Sequence, residues 1–538
     1  MISTAQRGPA TKMTLPTNTM QTAAKPSVAV SGWIARISPD ARWKCLFALL
    51  AVASFCPILL VPIPAMVDYP NHLARMYLLS QAKAADANPF YQIAWAAYPN
   101  LAMDLIVPPF GRLIGVETAT RVFYLLGQIV VVTGAIAIEQ VVKRRFLIAG
   151  FVALMFLYSL PFAWGFVNFE FGLGIALWGI AAYWAMQERA WRVRLGINAA
   201  FVAVLFAAHF YALGIYGVTI GLHEAWRAWA RQIPPVTMIG RLAILAFPAA
   251  VLLGWMAWSG GAIGGEETTW ALGLKPLRLF ATLNGYDLML SGAATIALAG
   301  FLYVAASRGF LCFEPAGVWL AAGFITLFAV MPSRLFETSF VDLRIIVAAA
   351  LILPAFMSIS LPDPRWRFAL VACTIALISA NLAVVSYVWI SYRADYAAII
   401  QSFGKIAKGS FVLVAHSGDA DDPPFKNLTE YPIYSAPTLA VHYAGAFVPT
   451  FYAAAGKQPI IARSPYRRLE ASYGGVAPVA ALKAIAENTA PDVPAFVRAW
   501  PRDFDYLYVV GPHSSNPMPR LLEELYEGPR FVLYRVRK

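Results

Sequence analysis

The 538-residue sequence is 59% hydrophobic and only 13% charged, against roughly 25% charged residues in an average soluble domain. One aqueous core cannot bury so much apolar surface, so the composition excludes an ordinary soluble enzyme. The net charge of +13 comes from Lys and Arg scattered over short loops, which argues against a nucleic-acid partner and favours a membrane topology signal. Four cysteines lie in or beside apolar stretches, so we expect no disulfide framework and no zinc site.

Residues 1–42 are basic and rich in Ser, Thr, Ala and Pro, which predicts a disordered cytoplasmic tail. About eleven apolar stretches follow, each close to the length that crosses a bilayer. The first ends in PIPAM, which resembles a signal cleavage site, but its long polar leader favours an uncleaved anchor. The expected spans are 43–64, 118–142, 146–163, 170–186, 195–209, 210–223, 242–258, 288–305, 316–332, 345–361 and 368–390.

The Lys and Arg bias of the loops predicts the orientation, with the N-terminus in the cytoplasm of a bacterial inner membrane. The loops assigned to the inside contain twelve basic residues, which are Lys143, Arg144, Arg145, Arg189, Arg192, Arg194, Arg227, Arg231, Arg241, Arg308, Arg365 and Arg367. The loops assigned to the outside contain seven, which are Arg75, Lys83, Arg112, Lys275, Arg278, Arg334 and Arg344. Eleven spans then place the C-terminal segment in the periplasm.

From residue 391 to 538 the pattern changes to short mixed elements. Residues 411–416, 505–511 and the final RFVLYRVRK are typical of strands, and 519–528 (PRLLEELYEG) is typical of a short helix ended by Gly528. This order predicts a small extracytoplasmic α/β domain. Its aromatic residues are candidates for sugar stacking, although core packing is the simpler explanation. They include Tyr431, Tyr434, Tyr443, Tyr452, Tyr466 and Trp500.

The first outside loop, 65–117, is too long for a simple connection between two spans, and loops of that size are usually functional or disordered. It opens with DYPNHLARMYLL, in which Asp68 is placed to cap a helix that carries His72, Arg75 and Leu79 on one face. We expect that helix to lie along the membrane surface, with Leu73, Met76 and Leu79 as apolar anchors.

A second carboxylate, Asp104, precedes a Pro-Pro pair as this loop returns to the membrane. Carboxylates at the lipid interface are expensive to desolvate and are therefore candidates for a functional site. The simpler alternative for Asp68 is a plain helix cap.

The layout resembles the GT-C superfamily of integral-membrane glycosyltransferases. The resemblance is carried by an acid in a D-x-P-x-H context after the first span, a long outer loop ending in Pro-Pro, many further spans and an outer C-terminal domain. It implies a polyprenyl-phosphate sugar donor, a glycan, lipid or protein acceptor, inversion at the sugar, and Asp68 as the catalytic base. The acid is followed by Tyr69 and not by a second acid, which puts a divalent cation such as Mg or Mn in doubt and leaves Asp104 as the partner within this loop.

The resemblance also implies cations for a lipid phosphate at the outer interface. Arg334 and Arg344 in SRLFETSFVDLRII are the first candidates, with Asp342 beside them. An equal alternative is that Asp342 and Arg344 pair with each other or extend to the membrane interface. Lys275 and Arg278 are weaker candidates of the same kind. Asn168, Glu170 and His209 are intramembrane polar groups expected either to line a shared cavity or to serve packing.

Three other classes remain open on the sequence alone. These are a lipid or oligosaccharide transporter (flippase), a polysaccharide polymerase or ligase, and a noncatalytic membrane component whose outer domain binds a partner. The absence of an inverted repeat argues against the transporter.

Overall fold

The computed structural model describes residues 39–81, 88–145, 147–259, 267–417, 431–453, 456, 458–471, 475–489, 493–511 and 515–538. The chain forms two compact units, Met1–Leu46 and Phe47–Lys538. Of the first unit only the beginning of helix α1 (Pro39–Phe55) is described. The helix therefore starts within the segment expected to be a tail, and the rest of that prediction lies outside the described residues.

The second unit is mostly helical, and prolines occupy the first turn of several helices, where the missing backbone N–H costs nothing. The helices before the short hairpin at 334–339 are α2 (Pro57–Leu60), α3 (Tyr69–Ser80), α4 (Ala102–Ile114), α5 (Val116–Lys143), α6 (Leu147–Phe156), α7 (Leu160–Trp164), α8 (Val167–Ala185), α9 (Trp191–Ala208), α10 (Phe210–Trp229), α11 (Pro235–Trp258), α12 (Lys275–Ala281), α13 (Leu288–Ser307) and α14 (Pro315–Val330). Beyond it come α15 (Val341–Ile352), α16 (Pro364–Ser391), α17 (Arg393–Ser402), α18 (Ala440–Tyr443), α19 (Val479–Ala486) and α20 (Trp500–Asp503).

Six described helical segments are long and apolar enough to cross a bilayer, which supports the membrane class but does not establish eleven spans. They are Ala41–Leu60, Val116–Lys143, Trp191–Ala208, Pro235–Trp258, Leu288–Ser307 and Pro364–Lys405. The predicted span 345–361 is wrong as a single helix, because α15 passes into a 3₁₀ turn at Leu353–Phe356 and a strand at Met357–Ile359. Pro354 explains the break, since proline removes a helical hydrogen bond.

Helices α5 and α8 cross at a pair of glycines that allow close backbone contact. A Cβ atom on Gly134 would lie 2.8 Å from the carbonyl oxygen of Gly174, and one on Gly174 would lie 2.7 Å from the backbone nitrogen of Val131. Any larger residue at this crossing would push the helices apart, so these glycines set the position of α8.

Numbered along the chain, the described strands are β1 (Tyr91–Ile93), β2 (Leu311–Phe313), β3 (Arg334–Leu335), β4 (Thr338–Ser339), β5 (Met357–Ile359), β6 (Val412–His416), β7 (Ile460–Ala462), β8 (Ala477–Pro478), β9 (Tyr506–Val510), β10 (Leu522–Gly528) and β11 (Phe531–Val536). The C-terminal part contains a five-stranded mixed sheet, in the order β10-β11-β9-β6-β8. The three predicted strands are confirmed, with β6 parallel to β9 and β9 antiparallel to β11. The α/β expectation is therefore confirmed at the level of a C-terminal sheet domain.

The helix predicted over 519–528 is wrong, because Leu522–Gly528 is a strand paired antiparallel with β11. A bulge between Glu524 and Tyr526 shifts the register, and this shift hides the period-two alternation that marks a strand. Two residues, 529–530, join Gly528 to Phe531, so hairpin pairing outweighs the local helix preference of the LLEEL segment.

The loop 65–117 packs against the C-terminal part. Strand β1 (Tyr91–Ile93) pairs antiparallel with β7 (Ile460–Ala462), and α3 packs against the 3₁₀ helix Pro432–Leu439. The expected membrane anchors Leu73, Met76 and Leu79 are buried inside the protein. The prediction that α3 lies on the membrane surface through these side chains is therefore wrong.

Candidate functional site

The backbone at Asp68 is held by the turn that follows α7. The backbone N–H of Asp68 donates to the carbonyl of Trp164 at 2.9 Å. Gly165 adopts φ +92°, and a Cβ there would lie 3.0 Å from the Cβ of Asp68. The close approach and the left-handed backbone both require glycine at this position.

The carboxylate of Asp68 stands at the N-cap of α3 but makes no capping hydrogen bond. The plain-cap explanation for this acid is therefore wrong. Its Oδ1 instead accepts a hydrogen bond from the phenol of Tyr452 at 3.2 Å. The side chain is partly buried and faces a cavity.

His72 follows one turn later, with its Nε2 3.0 Å from the carbonyl oxygen of Gly165. Burial, and then the charge of Arg75, lower the pKa of His72 to about 3. The ring is therefore neutral at ordinary pH, and the carbonyl partner selects the tautomer in which Nε2 carries the proton.

Arg75 and Asp104 form a buried ion pair, with side chains 7% and 0% exposed. The Nε of Arg75 lies 3.0 Å from Oδ1 of Asp104, and its Nη2 donates to Oδ2 at 3.2 Å. Burial raises the pKa of the Asp104 carboxyl, and the charge of Arg75 opposes that rise. Arg75 also donates to the side-chain oxygen of Gln458, so it connects the first loop to the C-terminal part.

The return segment of the loop docks on the junction between α9 and α10. The N–H of Leu101 donates to the carbonyl of Ala207 at 2.6 Å, and the N–H of Phe210 donates to the carbonyl of Pro99 at 2.9 Å. The amide oxygen of Asn168 accepts from the N–H of Met103 at 2.9 Å. Asn168 is thus a packing residue that also borders the cavity.

Arg344 is only 2% exposed and is surrounded by aromatic rings. Its guanidinium carbon lies 4.6 Å from the ring centre of Phe166, 5.0 Å from that of Phe169 and 5.1 Å from that of Tyr211. Contacts of this kind stabilise a cation without neutralising it. Among the described residues it makes no ion pair with a carboxylate.

His209 lies beside Arg344, but its facing ring nitrogen does not accept a hydrogen bond from the guanidinium. Its Nδ1 accepts the backbone N–H of Tyr211 at 3.2 Å, so in the neutral ring the proton is on Nε2. That nitrogen is 3.2 Å from Nη1 of Arg344, and two donors then face each other. An anion in the cavity would supply the acceptor that this contact lacks.

The other predicted phosphate-site charges are paired elsewhere. Asp342 is fully buried and accepts two hydrogen bonds from Arg278 at 2.7 and 2.6 Å, with Lys275 at 3.6 Å. The predicted alternative of an Asp342–Arg344 pair is therefore wrong. Arg334 makes two contacts of 2.8 Å with the carboxylate of Glu267, at a more exposed position.

A cavity of about 1200 Å³ lies between the helices and the C-terminal part. From the predicted site residues it is lined by Asp68, His72, Arg75, His209, Arg334 and Arg344. The residues that line it do not include Asp104, Glu170 or Asp342. Glu170 is instead buried behind the wall, with its carboxylate 3.5 Å from the Ser159 hydroxyl.

The C-terminal wall of the cavity supplies residues that sequence patterns did not single out. They are His416, Ser435, Thr450, Gln458, Arg467 and Glu470. Of the tyrosines considered for sugar stacking, Tyr431, Tyr434 and Tyr452 line the cavity, while Trp500 is fully buried in the core. Within the described ranges, no three His, Cys, Asp or Glu side chains come together as metal ligands do.

These features define a helical membrane protein with a large polar cavity between its helices and the C-terminal sheet part. No family model matches the sequence, and no curated protein matches it. Among solved structures, the chain is similar to one described as "Crystal Structure of ArnT from Cupriavidus metallidurans in the apo state". The two share 12% identity, with 94% of this chain and 98% of that chain covered and a TM-score of 0.49.

Proposed function

We propose that the protein is a membrane glycosyltransferase of the GT-C kind, which moves a sugar from a polyprenyl-phosphate donor to an acceptor hydroxyl. One observation carries the proposal: a carboxylate beside the membrane exit shares a cavity with a buried arginine that has no carboxylate ion-pair partner among the described residues. A base and a phosphate-binding cation are the two groups that this transfer needs.

In the proposed step Asp68 accepts the proton of the acceptor hydroxyl. The acceptor oxygen forms a bond to the anomeric carbon of the sugar while the bond from that carbon to the phosphate oxygen breaks. The polyprenyl phosphate leaves with the electron pair, and the configuration at the anomeric carbon inverts. A positioned carboxylate of this kind typically contributes a factor of about 10² to 10⁴.

Arg344 is the proposed contact for the leaving phosphate. Its planar guanidinium matches phosphate oxygens, and the surrounding rings exclude water, which strengthens the attraction. Arg334 is a second candidate, although its pairing with Glu267 means that a phosphate would have to compete with that carboxylate. Arg334 and Arg344 both line the cavity and come from the same segment, 334–344.

The proposed acceptor side is the C-terminal wall, where Tyr431 and Tyr434 line the cavity. Stacking rings with polar edges suit a sugar, and the acceptor class stays open among glycan, lipid and protein. We further propose that this wall is periplasmic and the N-terminus cytoplasmic, on the strength of the Lys and Arg bias of the loops.

The proposal is tested with purified protein in liposomes supplied with a panel of polyprenyl-phosphate sugars. A glycosyltransferase releases polyprenyl phosphate and a glycosylated acceptor. Release of neither product from any donor, combined with movement of intact donor between leaflets, would identify a transporter and reject the proposal.

A further inference from the structure

The contact between Tyr452 and Asp68 joins residues that are 384 positions apart in the sequence. The phenol donates to Oδ1 of Asp68 at 3.2 Å. The backbone N–H of the same tyrosine donates to the side-chain oxygen of Asn71, also at 3.2 Å. Tyr452 is therefore held at both ends by the first turn of α3.

The Asn71 contact is built into the core, since this amide is only 4% exposed. A buried side-chain oxygen without a partner is costly, so the bond to Tyr452 is strongly favoured. Asn71 also lies three residues after Asp68, within the same helical turn. The spacing between the two anchors on α3 consequently fixes where the phenol meets the carboxylate.

Two further bonds hold the C-terminal segment around Tyr452 in place. The hydroxyl of Ser435 donates to the carbonyl of Val67, the residue before the acid. Arg75, one turn beyond Asn71, donates to Gln458. Ser435 and Gln458, on either side of Tyr452 in the sequence, are thus bonded to Val67 and Arg75, on either side of the acid. The phenol position is set by these contacts.

We propose that Tyr452 is a positioning residue that orients the carboxylate of Asp68 for proton abstraction, an inference that rests on the function proposed above. A fixed donor at Oδ1 selects one rotamer of the acid and favours its ionised form. The C-terminal part therefore completes the base, and docking of that part on α3 is a condition for catalysis.

The test is Tyr452→Phe, which removes only the hydroxyl and leaves the backbone bond to Asn71. We expect kcat to fall about tenfold, as for loss of one hydrogen bond to a charged group, with KM for the donor unchanged. The acid limb of the kcat/KM profile should move to higher pH, because the lost hydrogen bond favoured the ionised carboxylate. The matched control is Tyr526→Phe, whose hydroxyl bonds Gln401 at 3.0 Å and does not line the cavity.

Each outcome separates this inference from the function itself. If the wild-type protein transfers no sugar, the proposed function fails. If the wild type is active but Tyr452→Phe has a wild-type kcat and an unshifted acid limb, only the positioning role fails. A raised KM with unchanged kcat would also overturn it, because that result marks a substrate contact. Should Tyr452→Phe not fold, Asn71→Ala carries the same expectation and the same refutation.

Discussion

Replacing Asp104 with asparagine should destabilise the protein by leaving a buried charge without its partner. The side chains of Arg75 and Asp104 are 7% and 0% exposed. They contact each other through two atom pairs at 3.0 and 3.2 Å. Removing one member of such a pair typically costs about 3 to 5 kcal/mol. The entropy of unfolding is about 2 cal/mol/K per residue, or about 1 kcal/mol/K for a chain of this length, so the midpoint should fall by about 3 to 5 °C.

The midpoint is measured by tryptophan fluorescence in detergent. All variants are recorded at one scan rate, because unfolding is irreversible in many such proteins. Glu523→Gln is the control, since its partner Arg535 lies 3.6 Å away in an exposed pair worth less than about 1 kcal/mol. The double variant Arg75→Met with Asp104→Leu should lower the midpoint by less than the two single variants do when their decreases are added. A midpoint of Asp104→Asn equal to that of the wild type would refute the reasoning.

Three further predictions concern the residues around Asp68. The pKa of His72 is lowered to about 3 in the folded protein, against about 6.5 in the unfolded chain. Burial of the neutral ring therefore stabilises the fold fully above pH 6.5, and acidification reduces this stability because the unfolded chain binds a proton first. By pH 5.5 the loss is about 1.4 kcal/mol, and His72→Gln should show a smaller drop in melting midpoint between pH 7.5 and 5.5. Gly165→Ala should lower both the midpoint and kcat, because a Cβ at φ +92° would lie 3.0 Å from that of Asp68. Arg344→Gln should lower kcat/KM for the donor by roughly 10- to 100-fold, the loss expected for a hydrogen bond to a charged group, measured by initial rates of transfer.

Matched variants separate these effects from general damage. Gly214→Ala changes a helical glycine with nothing within 4 Å of the added methyl group and should leave midpoint and kcat unchanged. Arg308→Gln removes an arginine that lies over Trp366 and should leave kcat/KM unchanged. An unaltered rate in Gly165→Ala or Arg344→Gln, or an unaltered pH dependence in His72→Gln, would contradict the corresponding prediction.

The sequence predicted the membrane class and the strands of the C-terminal sheet because both depend on local pattern. Hydropathy over about 20 residues identifies a span, and the buried strands at 412–416 and 506–510 are almost wholly apolar. The error at 519–528 arose because two adjacent leucines and several glutamates favour a helix locally, while the partner strand β11 decides the structure.

The candidate site was predictable only in part, for a geometric reason. Asp342 and Arg344 are two residues apart on one helix, and side chains at that spacing point to different faces. Asp342 therefore contacts Arg278, and Arg344 lines the cavity. Similarly, an apolar face on a helix such as α3 can pack against protein or against lipid. Periodicity alone does not distinguish these two environments.

The contacts between the C-terminal part and the first loop were beyond sequence reasoning. Tyr452 lies 384 residues from Asp68, and nothing in its local pattern, which includes several other tyrosines, marks it as a partner of an acid. The single available signal was its place among aromatics in the outer segment, and Tyr466 and Trp500 share that signal without lining the cavity.

Single-turnover release of polyprenyl phosphate by Asp68→Asn tests most directly whether this carboxylate is the base. The control is Asp287→Asn, because Asp287 caps α13 through a bond of 2.8 Å to the N–H of Leu290 and asparagine caps equally well. We predict that Asp68→Asn loses at least about a hundredfold in rate at an unchanged melting midpoint, while Asp287→Asn keeps the wild-type rate. A wild-type release rate in Asp68→Asn would contradict the role of Asp68 as the base.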